Sequence, residues 1–460
     1  MSYKDYFENK KITVMGLGVL GRGVGDTKFL AECGADLIVT DLKNAEDLKE
    51  SLEELKDFPN IQFVLGEHRL EDFRNRDFIL KAAGVPLDSP YITEAKKNNI
   101  PIKMSTALFA ELSGALTIGI TGTRGKSTTT QLIYEIIKKG YGRRKVFLGG
   151  NIRGVSTLAL LKDANPEPIT NPHGMYHPRV NSVAVLELDS WQLQGFGEDQ
   201  ISPRIAVFTT FMPDHLNYYG GDLEKYLEDK ANIFKYQNEH NVLVLGSQVA
   251  PMVLEKYEKD IKAKVIITDE KHVPKEWHTL LPGEHNRYNI ALAIEVARIM
   301  GINEEIIKEV VEEFKGVEGR LQFLREVGGV KIYNDNNATT PDATLAALKA
   351  LGKDKNIVLI IGGADKNIDM SKLIEAIPKY CKKIILLPGT GSEKLKARSY
   401  ELKAFDLVEV PNLEESVNFA MDEAQGGDIV LFSPAFASFG LFKNEYDRGD
   451  QFVKLIENFK

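Results

Sequence analysis

The sequence predicts an α/β protein of three successive domains, and three observations carry that expectation. The chain has 460 residues, too many for one ordinary hydrophobic core and the right length for about three domains of common size. Short β-rich runs alternate with helical stretches throughout, which is the rhythm of parallel sheets joined by crossover helices. Two glycine-rich turns, at 16–21 and 122–125, each follow a β-rich run and open a helical one.

The first domain is expected at 1–113, with strands at Lys11–Met15, Asp36–Thr40, Ile61–Leu65, Phe78–Leu80 and Ile100–Lys103 and a helix over Val24–Cys33. The second, at 114–317, opens on Leu116–Thr121 and adds strands at Val183–Leu188, Ile205–Thr210, Val242–Leu245 and Val265–Thr268. Helical patterns follow at Asn289–Met300 and Glu304–Phe314, and Gly316-Val317-Glu318-Gly319 breaks them. The third domain, at 318–460, takes strands at Val330–Tyr333, Ile357–Ile361, Lys383–Leu387 and Asp428–Phe432. Asp163–Ser182 contains Pro166, Pro168, Pro172 and Pro178 with two histidines and no hydrophobic periodicity, and reads as a surface loop rather than a metal site.

An apolar fraction of 43% and a charged fraction of 27% are those of a globular protein. Met1 to Lys11 is polar where a secretory signal would be apolar, and no run reaches the roughly 18 apolar residues of a membrane span. A cytoplasmic location and no membrane insertion are therefore expected, and the chain is also expected to be a monomer. Cys33 and Cys381 are the only two cysteines, so neither a disulfide framework nor a cysteine zinc site is indicated. A formal net charge of −8 disfavours nucleic acid as a partner. It also requires any polyanionic ligand to be held by local cations, helix N-termini or metal ions.

Gly16-Leu17-Gly18-Val19-Leu20-Gly21 supplies a first phosphate cradle, and Asp41 closes the next strand 20 residues beyond Gly21. Glycines there permit a tight turn and close backbone approach to a pyrophosphate at a helix N-terminus. Taken alone the pattern reads as NAD binding, but any nucleotide diphosphate can use the same cradle.

Gly119-Ile120-Thr121-Gly122-Thr123-Arg124-Gly125-Lys126-Ser127-Thr128 supplies the second. The strict P-loop spacing is not met, because Ile120 stands where the first glycine belongs. The physical parts are nonetheless present: exposed N–H groups, Lys126 to neutralise β and γ phosphate oxygens, and Ser127 as a Mg²⁺ ligand. ATP is the natural ligand. Two adjacent nucleotide cradles suit an enzyme that uses ATP on a nucleotide-linked substrate better than a dehydrogenase.

The Thr-Gly-Thr-x-Gly-Lys-Ser core resembles the ATP loop of the Mur ligase and folylpolyglutamate synthetase superfamily, and further motifs follow in the family's order over nearly the whole chain. The resemblance implies a Rossmann-like N-terminal domain, a P-loop-type central ATPase domain and a Rossmann-like C-terminal domain. It implies Mg²⁺ binding by Ser127 and by Glu187, which ends a strand in Val185-Leu186-Glu187-Leu188-Asp189-Ser190-Trp191-Gln192. Asp214-His215-Leu216-Asn217-Tyr218 and Lys230, 15 residues after His215, match the family's second metal histidine and its carbamylated lysine. ATP contacts are implied for Gly122, Thr123, Arg124, Gly125, Lys126, Ser127 and Thr128, for Asn286 and Asn289 of the Gly-x-His-Asn-x-x-Asn segment, and for Arg320 and Asp335. A UDP-sugar is implied at Gly18, Val19, Leu20, Asp41, Lys43, Gly84, Asn151, Asp189 and Gln192.

Asn334-Asp335-Asn336-Asn337-Ala338-Thr339-Thr340-Pro341 is similar to the signature of the D-glutamate-adding branch. The Asp-Asn-Pro-Arg string expected of the diaminopimelate- or lysine-adding branch is absent near 390–410. Thr339, Lys366 of Gly362-Gly363-Ala364-Asp365-Lys366, and Ser438 and Phe439 of Ser433-Pro434-Ala435-Phe436-Ala437-Ser438-Phe439 then fall where the family holds the amino acid. Four positions depart from the commonest pattern: Arg124 for Asn, Asn337 for Lys, Asp189 for Ser and Glu445 for an aromatic.

Such a ligase would join D-glutamate to UDP-N-acetylmuramoyl-L-alanine through an acyl phosphate, with Lys126, Glu187, His215 and Lys230 as catalytic residues, Ser127, Glu187, His215 and Lys230 at the metal, and Arg320 helping to close the site over ATP. Rival readings are glutamate addition to a folate, a different muramyl-peptide ligase, an NAD-dependent oxidoreductase and a silent nucleotide-binding module.

Overall fold

Three β-sheets organise the residues that a computed structural model of the chain describes, namely 2–19, 21–164, 182–215, 218–398 and 407–459. The chain forms two compact units, Met1–His272 with Ala291–Ile307, and Val273–Ile290 with Lys308–Lys460. The first unit holds two of the sheets.

Its first sheet runs β3-β2-β1-β4-β5, with β1 Lys11–Met15, β2 Asp36–Asp41, β3 Ile61–Leu65, β4 Phe78–Lys81 and β5 Ile102–Lys103. Every pairing is parallel. The chain winds outward from β1 to β3 and then returns to the other side with β4, so β1 and β4 flank a topological switch point, where open α/β sheets bind ligands. The 16–21 turn sits there and leads into the Arg22–Glu32 helix. Gly23 cannot be larger, because a Cβ would come within 2.2 Å of the Leu17 carbonyl oxygen.

The second sheet runs β11-β10-β9-β6-β8-β7, again all parallel, with β6 Leu116–Thr121, β7 Lys145–Gly150, β8 Ser182–Glu187, β9 Ile205–Phe208, β10 Val242–Gly246 and β11 Lys264–Thr268. Strands β6, β8, β9 and β10 are buried at every residue, as expected of parallel strands covered on both faces.

In the second unit the sheet runs β12-β13-β17-β14-β15-β16. Its strands are β12 Gln322–Val327, β13 Val330–Asn334, β14 Ile357–Gly362, β15 Cys381–Leu387, β16 Leu407–Glu409 and β17 Ile429–Phe432. Only the β12–β13 pair is antiparallel. Ile357, Leu359 and Ile361 of β14 are fully buried in the core, and truncating any one of them to alanine is expected to cost about 2–5 kcal/mol.

The strands read from the sequence are all present, with shifts at the ends. β5 begins at Ile102 because Pro101 has no N–H for the ladder. β9 stops at Phe208 because Thr209 and Thr210 turn towards the glycine loop, Thr123 N–H donating to the Thr210 carbonyl at 2.7 Å. Three edge strands were not legible: β7, where Arg143, Arg144 and Lys145 precede and two glycines end the apolar run; β12, with its alternating Gln322, Arg325 and Glu326; and the three-residue β16. Most of the proline-rich segment, 165–181, lies outside the described residues.

Candidate active site

In the first unit a cavity of about 330 Å³ opens over the ends of β1 and β4 and is lined by Gly16, Gly18, Val19, Lys43, Gly84 and Gln192, among others. Of the nucleotide-sugar residues expected from the sequence, five line it: Gly18, Val19, Lys43, Gly84 and Gln192. Leu20 lies outside the described residues. The Asp41 carboxylate accepts from the Gly18 N–H and the Lys43 N–H, both at 2.9 Å, so it acts on the loop backbone. Asp189 caps the Ser190–Glu198 helix: its carboxylate accepts from Gln192 N–H at 2.8 Å, and the Gln192 side-chain oxygen accepts from Asp189 N–H at 3.2 Å. Gln192 Nε2 then donates to the Thr106 hydroxyl at 3.2 Å, tying this helix to the Ser105–Leu112 helix.

Several groups at this cavity were not singled out from the sequence. Lys81 is 2% exposed, donates to the carbonyls of Ala82, Ala83 and Val85 at 3.1, 3.3 and 2.7 Å, and is pulled down by burial to a pKa of about 8. Arg22 Nη1 donates to Asn151 Oδ1 at 2.7 Å. Asp26 is buried, accepts from the hydroxyls of Ser105 at 3.0 Å and Ser156 at 2.6 Å, and is raised by that burial to about 6.

The second cradle joins β6 to the Lys126–Tyr141 helix. Gly125 caps that helix in the left-handed region at φ +87°, with no side-chain cap, so the first N–H groups of the helix face the turn. Gly122 must be glycine, since a Cβ would lie 2.0 Å from the Thr209 hydroxyl. The Thr123 hydroxyl donates to the Met212 carbonyl at 3.1 Å, and Arg124 pairs with Asp214 at 2.9 Å. Lys126 Nζ and Lys230 Nζ both donate to the Gly122 carbonyl, each at 3.0 Å. Lys230 is 1% exposed, over the Tyr226 ring at 4.8 Å, and burial followed by the Lys126 charge drives its pKa well below the ordinary lysine value. Lys126 therefore brings a cation to the exposed N–H groups of the turn, a combination matched to a polyanion, while burial disfavours the charged form of Lys230.

Glu187 is buried at the C-terminal end of β8, in register beside Ile120 of β6, and Ser127 and Thr128 are in the first turn of the Lys126–Tyr141 helix. His215 takes φ +53°, and its ring lies 4.9 Å from Trp191 and 6.0 Å from Tyr226. Burial lowers its pKa, which favours the neutral, metal-binding imidazole. Leu216 and Asn217 lie outside the described residues. Among the described residues no three His, Cys, Asp or Glu side chains cluster as a metal site. The oxygen donors Ser127 and Glu187 still suit Mg²⁺, which takes one or two carboxylates with phosphate and water oxygens rather than an all-protein cage.

In the second unit Asp335 and Thr339 follow β13, Lys366 follows β14 and Ser438 follows β17. Lys366 Nζ donates to the Thr339 hydroxyl at 3.0 Å. Ser438 is 4% exposed, whereas Phe439 is 70% exposed. Asp335 is buried and raised to about 7 by burial; it accepts from Leu321 N–H at 3.1 Å and the Ser433 hydroxyl at 2.8 Å. Arg320 Nη1 donates to the Asn337 carbonyl at 3.3 Å. Asn286 and Asn289 are buried near the start of the Glu284–Ile299 helix, with Asn286 Nδ2 donating to the Pro282 carbonyl at 2.8 Å.

Arg448 is fully buried, and its guanidinium donates to Asn336 Oδ1 at 2.7 Å, the Asn336 carbonyl at 2.9 Å and the Phe436 carbonyl at 3.2 Å. Burial pulls it down to about 10. A sequence signal existed in Gly449, a glycine inside a helix whose Cβ would come 2.9 Å from Asn336 Nδ2.

Parallel sheets with a glycine turn, paired lysines and a strand-end carboxylate define a nucleotide-using α/β enzyme of the P-loop type. Residues 10–103 match the Mur ligase MurD-like N-terminal domain, 120–277 the Mur ligase middle domain and 319–436 the Mur ligase glutamate ligase domain. The chain belongs to the Mur ligase family. It is 35% identical to the UDP-N-acetylmuramoylalanine–D-glutamate ligase of Roseiflexus sp. (strain RS-1), over 98% of this chain and 99% of that one. It is 34% identical to the enzyme of that name from Borreliella afzelii (strain PKo), over the same shares. In fold it is similar to the UDP-N-acetylmuramate-alanine ligase MurC from Thermotoga maritima, with a TM-score of 0.61 at 18% identity over 98% of this chain and 100% of that one. The ADP complex of E. coli FolC is similar over 77% of this chain and 92% of that one, with a TM-score of 0.52 at 18% identity.

Proposed function

We propose that this chain is an ATP-dependent ligase that adds D-glutamate to UDP-N-acetylmuramoyl-L-alanine in peptidoglycan synthesis. The observation that carries the reading is its full-length likeness, 35% and 34% identical, to ligases of that name. Domains at 1–113, 114–317 and 318–460 would divide the work.

In this reading the nucleotide-sugar lies over Gly18, Val19, Leu20, Asp41, Lys43, Gly84, Asn151, Asp189 and Gln192. ATP lies on the turn from Gly122 to Thr128, with Asn286, Asn289, Arg320 and Asp335 as further contacts. An oxygen of the alanyl carboxylate attacks the γ-phosphorus, the bond to ADP breaks, and an acyl phosphate results. The amine of D-glutamate then attacks the acyl carbon, phosphate leaves, and the amide forms as the amine gives up a proton. Lys126 and the N–H groups at the start of its helix hold the developing charge, so positioning and electrostatics supply the rate rather than a protein nucleophile.

Ser127, Glu187, His215 and Lys230 would hold Mg²⁺, which when bound neutralises phosphate oxygens. Lys230 would do so as a carbamate. Its burial, with the lowered pKa, favours the neutral amine that adds to CO₂. Thr339, Lys366, Ser438 and Phe439 would hold D-glutamate. A monomer in the cytoplasm completes the reading.

The test is phosphate release from ATP with Mg²⁺ and UDP-N-acetylmuramoyl-L-alanine, comparing D-glutamate with L-glutamate, D-alanine, lysine and no amino acid, and weighing the product. Release tied to D-glutamate, with a product heavier by one glutamyl residue, is expected. Release tied to a different amino acid would overturn the substrate, and no release with any of them would overturn the ligase. A native mass spectrum in bicarbonate is expected to show a CO₂ adduct that is lost in Lys230→Arg.

A further inference from the structure

The Arg22–Glu32 helix and its capping glycine meet the loop that follows β7 at Gly21, Arg22, Gly25 and Asp26. Gly21, just before the helix, approaches Gly154, so that a Cβ there would lie 3.8 Å from its Cα. Gly25 approaches Ser156 so closely that a Cβ would lie 2.7 Å from the serine Cβ. Between and beyond these glycines stand Arg22 and Asp26, four residues apart and therefore on one face of the helix. Arg22 grips Asn151, and Asp26 grips Ser156.

The Arg22 contact fixes more than a distance. A guanidinium has donors only, so Asn151 must turn its amide oxygen to Arg22 at 2.7 Å, and its Nδ2 hydrogens point to the other end of the amide. The backbone of Asn151 is held at the same time, its N–H donating to the Glu187 carbonyl at 2.8 Å. Gly21 caps the helix in the left-handed region at φ +80° with no side-chain cap, so the helix N-terminus and the Arg22 charge meet at one cavity, which Arg22 and Asp26 both line, and the Asn151 amide is bonded to Arg22. Asp26 also accepts from the Ser105 hydroxyl at 3.0 Å and so ties a third segment to the same point.

We propose that Arg22 and Asp26 are positioning residues, a two-point clamp that holds the 151–156 loop against the Arg22–Glu32 helix and aims the Asn151 amide N–H groups at the diphosphate of the nucleotide-linked substrate. This rests on the nucleotide-sugar reading given above. Arg22 sets the amide's orientation, and Asp26 sets the loop's distance from the helix.

The test measures the KM for UDP-N-acetylmuramoyl-L-alanine and for ATP in Arg22→Met, Asn151→Ala, the double variant and Ser156→Ala, with calorimetric binding of UDP alone as a second readout. Arg22→Met is expected to raise the nucleotide-substrate KM about tenfold, the size of one hydrogen bond to a charged group, and to leave the KM for ATP within about twofold. A merely structural defect would lower the active fraction without that split.

Because Arg22 acts through Asn151, the double variant is expected to be about as impaired as Asn151→Ala alone. A nucleotide-substrate KM in Arg22→Met within about twofold of wild type, or single effects that multiply in the double, would overturn the clamp. If Arg22→Met does not fold, Ser156→Ala carries the test, with a rise in KM and weaker UDP binding expected and no change in either overturning it. Wild-type protein that binds no UDP would instead overturn the nucleotide-sugar reading itself, and the clamp with it.

Discussion

Two turns in the first unit are built alike and equipped differently. Each follows a buried parallel strand, each ends in a left-handed glycine, Gly21 at φ +80° and Gly125 at φ +87°, and neither of the helices they open has a side-chain cap. At the first turn a carboxylate, Asp41, bonds the loop itself, accepting from the Gly18 and Lys43 N–H groups. The cations lining its cavity come from other places, Arg22 on the helix, Lys43 after β2 and Lys81 at the end of β4. At the second turn two lysines meet on a single carbonyl of the turn itself. The glycine geometry is common to both, and in the proposed reading the placement of charge is what separates a cradle that binds from one that also reacts.

The contrast can be broken most severely at the second turn. Lys126→Ala is expected to lower kcat by a factor of about 100 to 1,000, with UDP binding at the first turn retained, as calorimetry on the same variant would check. Comparable loss of UDP binding would mean the two turns are not independent.

At the first turn, Asp41→Ala removes the acceptor of two N–H groups and is expected to raise the KM for the nucleotide substrate about 10- to 100-fold, while the KM for ATP stays near wild type. A loss of ATP affinity instead would reverse the assignment of the turns.

A smaller effect is expected in the second unit, which has neither turn. Arg448→Met should lower stability to urea by about 1–3 kcal/mol, because Asn336 and two carbonyls lose a buried donor. An unchanged midpoint would show that the network is neutral to stability.

The smallest effect concerns Asp26, which joins the first turn's helix to its neighbour. Burial raises its folded-state pKa from 3.8 to about 6, so the folded protein binds this proton more tightly than the unfolded chain. Stability attributable to Asp26 therefore rises as pH falls from about 7 towards 4. Compared with Asp26→Asn, the wild type is expected to gain Tm over that window. A constant difference across it would show the carboxylate stays ionised.

The sequence made the two turns legible because strand, glycine and helix succeed one another locally. Glu187, His215 and Lys230 were legible only through resemblance, since a strand-end glutamate or a helical lysine carries no local mark of its partners. Lys230 shows why: by pattern it is a solvated helix residue, yet it is 1% exposed. Arg22 and Asp26 escaped because their partners, Asn151 and Ser156, lie more than a hundred residues away and meet them only in the fold. The edge strands β7, β12 and β16 were lost because an edge tolerates charge and brevity. The Gly328-Gly329 pair between β12 and β13, at φ +58° and +80°, was the available hairpin signal.

Arg448 has a consequence in time. The 334–341 segment leaves β13, but the guanidinium that fastens Asn336 arrives more than a hundred residues later, and β17, which lies between β13 and β14, is itself made only at 429–432. During synthesis the two sheets of the first unit can form as soon as their strands have emerged, because domains fold as units from the N-terminal side. The third sheet must wait with a gap at its centre. The chain therefore passes through a stage in which its nucleotide turns are complete while the segment carrying Thr339 is still untethered. A ribosome stalled before Arg448 would hold it there.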